Sequence, residues 1–298
     1  MRTALVTGGS GLVGRALVAR LRADGVRVLA TARSFASERA VVEAGAEPLH
    51  TGVEGLTSWA REIADAEIVY HLGLPRVEPP LRRSGARRRA RLAATGAAAL
   101  RAAVGDRPVV VASTGLLYEA TGAPAVDDDP ADSGLALAQA ARRAETELAG
   151  PALRVVRLPW VYGPTGLMRD LIVGIRTRRY RVVGPGENAW SLLAVDDAAS
   201  ALVAAAGAPP GTYTAAEGEP PTQLDVVAAI CLIPGHPRPD HAAPGLAGIA
   251  IGGAMSEALA APLSIRTGRL GTLGWEPAGD WRRDLTRLAE GPLPLPRR

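Results

Sequence analysis

The chain has 298 residues, 47% of them apolar and only 4% aromatic, so it can fill one large α/β domain, or a main domain with a smaller appended one, around a core of mostly Ala, Leu and Val. Its formal charge of +4 comes from 34 basic residues, every one an arginine, against 30 acids. No apolar run is long enough to span a membrane, the stretch TALVT runs into glycines rather than a cleavage site, and the single cysteine, Cys231, excludes an internal disulfide; these features predict a cytoplasmic protein with no membrane partner.

The first half alternates between strand and helix signals. RTALVT (2–7) reads as a strand, RALVARLRADG (15–25) as a helix ending at Gly25, VRVLATA (26–32) as a strand and SERAVVEAG (37–45) as a helix. A short strand at 47–50, a helix at 57–66 and a strand at 67–73 follow, then a long Ala- and Arg-rich helix over 86–104. PVVVAST (108–114) is the clearest buried strand, followed by a helix over 135–149 and a strand over 153–159. This alternation predicts a Rossmann-type, doubly wound parallel sheet.

After Pro164 Gly and Pro become frequent. Helices are expected at 165–180 and 222–233, with a loop at 235–245. The division expected is a nucleotide-binding core over 1–164 and a small substrate-facing lobe over 165–298, interleaved with the core because 182–202 returns to the sheet. The basic run LRRSGARRRAR (81–91) comes with no helix-turn-helix, zinc or base-stacking signature. It reads as a solvated helix face, and no nucleic-acid partner is expected.

Gly8, Gly11 and Gly14 follow the first strand and open the first helix. In that context Gly8 permits a tight turn, Gly11 lets a phosphate approach the backbone, and Gly14 lets the helix pack on the sheet. The helix N-terminus then offers free N–H groups and a positive dipole end to a pyrophosphate. The second strand ends in Arg33 and Ser34 where an NAD-selective site carries an acid, so a 2′-phosphate, and hence NADP(H), is expected. The cofactor contacts expected are Thr7, Gly8, Ser10, Gly11, Leu12, Val13, Gly14, Arg33, Ser34, Leu72, Gly73 and Pro159. No metal site is expected.

Five ordered segments resemble the extended short-chain dehydrogenase/reductases, the NAD(P)-dependent epimerase/dehydratase group: TGGSGLVG (7–14), IVYHLG (68–73), VVVASTGLLY (109–118), RLPWVYGP (157–164) and VVGPGENAWSLLAVDDAASAL (182–202). The resemblance implies that Thr114, four residues before Tyr118, matches the catalytic Ser/Thr, with Ser113 as its neighbour. The group's Tyr-x-x-x-Lys dyad precedes an Ala-Glu pair. Matching that pair to Ala144-Glu145 puts the dyad positions at Leu137 and Ala141, both aliphatic. Other departures are Ala93 where an Asn precedes Gly96, Val53 where an acid follows Gly52, and Gly115-Leu116 where the dehydratases carry Asp-Glu. Trp190 stands where nucleotide-sugar enzymes carry a diphosphate-clamping Arg, which implies a partly apolar substrate meeting an apolar face of Trp190.

Two readings follow. In the first the protein is an NADPH-dependent oxidoreductase of a small carbonyl compound: Thr114 polarises the oxygen, and a substitute proton donor comes from Glu119, Tyr118 or Tyr162. In the second the scaffold serves a non-redox isomerase, lyase or cyclase, or a catalytically silent NADP-binding protein. The partners expected are a small-molecule substrate and, as an option, a second copy of the chain.

Overall fold

The computed structural model describes residues 2–233 and 236–291. Its first half runs β1 (Thr3–Thr7), α1 (Leu12–Ala23), β2 (Arg27–Thr31), α2 (Phe35–Glu43), β3 (Glu47–Leu49), β4 (Ala66–His71), α3 (Arg83–Val104), β5 (Val109–Thr114), α4 (Gln139–Glu147) and β6 (Leu153–Leu158). The second half runs β7 (Trp160–Tyr162), α5 (Leu167–Arg176), β8 (Val182–Val183), β9 (Leu192–Ala194), α6 (Val195–Gly207), β10 (Gly211–Thr214), α7 (Gln223–Cys231), β11 (His241–Ala242), α8 (Pro244–Ile251), α9 (Gly253–Ala260), α10 (Arg269–Thr272) and α11 (Trp281–Glu290).

Seven strands form one parallel sheet in the order β3-β2-β1-β4-β5-β6-β10. Its strands are apolar on both faces because both are covered. On β1, Ala4 and Val6 join a core with Leu17, Val18 and Leu21 of α1 and Ala198, Ala201 and Leu202 of α6. Leu5 points the other way, into a core with Ala97 and Leu100 of α3 and Ala144 of α4. A third apolar cluster fills the lobe formed mainly by α5, α7, α9 and α11.

Three expectations need correction. Residues 57–66 do not form an α-helix: a 3-10 helix covers Val53–Trp59 and turns follow. The segment before it is drawn into the 3-10 helix instead, with Val53 anchored against α3, where a Cβ on Gly96 would stand 2.9 Å from its Cγ1. The 182–202 segment returns to the sheet by a helix and not by a strand. β8 pairs with β11 and β9 with β7, while α6 lies on the sheet and the seventh strand is β10. Pro159 is the cause of the divergence: without an N–H it ends the β6 ladder, and the chain re-pairs one residue later as β7. The expected 235–245 loop contains β11 and the start of α8; residue 235 lies outside the described residues.

Candidate active site

The glycine loop is shaped by backbone contact. Gly8 has φ of 78°, and a Cβ on it would stand 2.5 Å from the Leu72 carbonyl oxygen; one on Gly14 would stand 2.2 Å from the Gly8 oxygen. Both positions therefore exclude any side chain. Gly11 differs. It is exposed, donates its N–H to the Gly8 oxygen at 3.0 Å, and a Cβ there would meet only that oxygen, at 3.3 Å. No side chain caps α1, so its first N–H groups are left for a ligand.

Arg33 is exposed and makes no hydrogen bond or ion pair among the described residues, whereas the Ser34 hydroxyl is committed to a capping box with Ser37 at the start of α2. A cationic guanidinium at the sheet edge, a cradle closed to side chains and an uncapped helix end together fit the diphosphate and ribose of a dinucleotide. Thr7 is buried and pairs its hydroxyl with His71 Nδ1 at 2.7 Å. Burial pushes His71 down to about 4, so it is neutral at pH 7. Leu72 and Gly73 follow it, half-buried against the Gly8 turn, and Ser10 and Val13 are half-buried on the other side. Leu12 packs against the segment after β7, where a Cβ on Gly163 would stand 2.9 Å from its Cδ1, and Pro159 is buried at the end of β6.

β5 delivers Ser113 and Thr114 to the same end of the sheet. Ser113 donates its hydroxyl to Glu145 Oε1, a carboxylate also held by Arg157 through Nε at 3.2 Å and Nη2 at 2.9 Å. Thr114 is half-buried and its oxygen accepts the Leu116 N–H at 3.2 Å, which leaves its proton free to donate. Ala141 lies one turn before Glu145 on α4, Leu137 stands in the turn just before the helix, and both are buried in one apolar cluster with Leu116, which follows β5. Leu137 is 9% exposed and Ala141 2%. Residues 133–135 strap this region down: Ser133 donates its hydroxyl to the Leu116 oxygen at 2.6 Å and its N–H to the Leu117 oxygen at 3.0 Å.

The family model for the NAD-dependent epimerase/dehydratases matches residues 4–216. The chain belongs to that family. It is an NAD(P)-dependent oxidoreductase of the extended short-chain dehydrogenase/reductase type. A Streptomyces protein named 3-diazoavenalumate denitrifying reductase is 31% identical over 309 residues, covering 95% of this chain and 99% of the relative. A Stigmatella aurantiaca ketoreductase of a farnesylated dihydroquinoline oxide is 28% identical, covering 74% of this chain and 69% of the relative. Among solved structures, a human epimerase family protein with NADPH superposes with a TM-score of 0.79 at 18% identity, covering 97% of this chain and 99% of that one. That likeness bears on the fold alone.

Against this family background, several expected site residues take structural positions. Tyr118 is buried, donates its hydroxyl to the Asp127 carbonyl at 2.6 Å and lies under the Arg157 guanidinium; burial pushes it up to about 12. Tyr162 donates to Glu217 Oε1 at 2.7 Å and is raised further, by burial first and then by that carboxylate. Neither phenol faces an open site. Trp190 requires a correction: it is fully buried, donates its indole N–H to the Leu259 oxygen at 3.2 Å and packs against Trp160, so it has no face to offer a substrate. Glu119 is exposed in the loop beyond Tyr118.

Two residues near the loop escaped the sequence reading. Arg15 reaches Thr165 at 3.3 Å and keeps its buried Nε unpartnered, and Glu54 folds its carboxylate over Gly52. Arg15 directly follows the last motif glycine and Glu54 stands one residue past the expected acid position, which is the only signal either gave. Among the described residues no group of three or more His, Cys, Asp or Glu is arranged to hold a metal, and no helix is long and apolar enough to cross a membrane.

Proposed function

We propose that the protein is an NADPH-dependent reductase of a small, partly apolar compound. The observation that carries this reading is the unpartnered, exposed Arg33 beside the glycine cradle, in the position that meets a 2′-phosphate. Gly8, Gly11, Gly14 and the start of α1 would hold the diphosphate, and Leu72, Gly73 and Pro159 would flank the rest of the cofactor. When bound, NADPH supplies a hydride. Thr114 has a free hydroxyl proton with which to hold a substrate heteroatom.

The acceptor is read in two ways. One is the carbonyl expected from the sequence, in line with the ketoreductase relative. The other is a diazo arene, in line with the denitrifying reductase, whose alignment spans nearly the whole chain. The aliphatic dyad positions favour the second. An arenediazonium that gains a hydride becomes an aryldiazene, which releases dinitrogen and leaves the arene, with no proton required from the protein. Direct titration tests the cofactor half of the proposal. NADPH should bind at least about tenfold more tightly than NADH, the scale of one charge-assisted bond, and equal affinities would refute the role of Arg33.

A further inference from the structure

Around the end of β5 the described residues offer no free phenol and no ammonium to donate a proton. At the two positions where a phenol and an ammonium would stand, Leu137 and Ala141 are buried in one apolar cluster with Leu116 and Trp160. The chain has five tyrosines and no lysine. Tyr118 and Tyr162 are committed as described, and Tyr213 donates to the Pro209 oxygen. Tyr180 pairs with Gln223 in the lobe, and Tyr70 is buried in the core beneath α1. Glu145 is bound by Arg157 and Ser113.

The charge balance of the reaction decides which substrates such a site suits. Reducing a neutral ketone here would create a charge pair, an alkoxide and a nicotinamide cation, in apolar surroundings with no phenol or ammonium to protonate the alkoxide, and building charge in such a place is costly. Reducing a substrate that is already a cation creates no charge; the positive charge only changes owner. A second observation points the same way. Residue 190, where an anion-clamping arginine would stand, is a tryptophan, so no guanidinium opposes a cation there.

Resting on the reductase reading above, we infer that the acceptor class is a planar organic cation, an iminium or an arenediazonium, reduced with no proton from the protein. For an iminium, the carbon gains the hydrogen and its electron pair as a new C–H bond. The C=N π pair becomes the nitrogen lone pair, one dihydronicotinamide C–H bond breaks, and no proton enters or leaves.

The test uses N-methyl dihydroisoquinolinium chloride and tetralone, a cation and a neutral ketone of similar shape. Binding of each is read by quenching of tryptophan fluorescence, without cofactor and with NADP+, and consumption of NADPH is read separately. The cation should bind about tenfold or more tightly than the ketone and be the one reduced. Equal or reversed affinity, or reduction of the ketone in preference, overturns the inference. Failure of NADPH to bind at all would sink the reductase reading, while the cation preference in cofactor-free quenching would still be measured. Ala141→Lys should cut cation affinity about tenfold by adding a like charge, whereas Ala141→Ser should leave it unchanged; loss of affinity in both, or in neither, also counts against the assignment.

Discussion

Replacing Glu145 by alanine removes the carboxylate that joins α4 to β5 and β6. Arg157, only 6% exposed, then keeps a buried charge without its ion partner. Orphaning one member of a buried pair costs about 3–5 kcal/mol. The face of Tyr118 still lies 4.9 Å from the guanidinium carbon and compensates in part, so the lower end, about 3 kcal/mol, is expected. With an m-value of about 3 kcal/mol/M for a chain of this size, the urea midpoint should fall by about 1 M. The double variant Glu145→Leu, Arg157→Leu removes both charges and should recover most of that loss. Urea unfolding followed by circular dichroism measures both. If the double variant is as unstable as the single one, the orphaned charge is not the cause and the reasoning fails.

Gly14→Ala should destabilise the fold, because its Cβ would meet the Gly8 oxygen at 2.2 Å, while Gly11→Val should spare the melting temperature and abolish NADPH binding; equal melting losses in the two would overturn the division of labour. Arg33→Asp should weaken NADPH by about 1–3 kcal/mol and hardly change NADH, as read by calorimetric titration. His71 has a folded-state pKa of about 4 against an ordinary 6.5. Below pH 6.5 the unfolded chain takes up a proton that the native state refuses until about pH 4, so stability present at neutral pH should fall across that window by up to about 3 kcal/mol; His71→Gln should flatten the curve. Thr114→Val should change iminium turnover less than about threefold, in contrast to the roughly hundredfold or greater loss typical of removing an oxyanion donor.

The sequence made the Rossmann half legible because its signals are local. The run PVVVAST is apolar at every inward position, and Gly8, Gly11 and Gly14 sit where a strand meets a helix. The lobe was harder to read. β7, β9 and β10 are three or four residues long, and their partners lie far away in the chain, so neither length nor periodicity marks them. α8 is apolar on its exposed side, with Leu246 and Ile249 open to solvent, and therefore carries no amphipathic stripe to read. The site shows the same contrast. The tight glycine turn, whose Gly8 and Gly14 exclude any side chain, was legible from spacing, whereas the enclosure of Trp190 was not. The full burial of Trp190 depends on contacts distant in sequence, among them the Leu259 oxygen, 69 residues away, which accepts its indole N–H.

The absence of lysine invites a compositional explanation, since arginine replaces it throughout a chain rich in Ala, Gly and Pro. Composition alone does not account for the site. A coding bias against lysine would convert the dyad to Tyr-x-x-x-Arg and keep a cation beside the cofactor. What stands there is Leu137 and Ala141, with no phenol, no guanidinium and almost no exposed surface. The tyrosine codon is under no such pressure elsewhere, because Tyr118 and Tyr162 persist in the same family segments. On the reading proposed above, the apolar wall at these two positions concerns the chemistry of the acceptor. An enzyme that keeps its dinucleotide cradle while removing both its acid and the cation that would repel a charged substrate is suited to a reaction in which hydride alone completes the product.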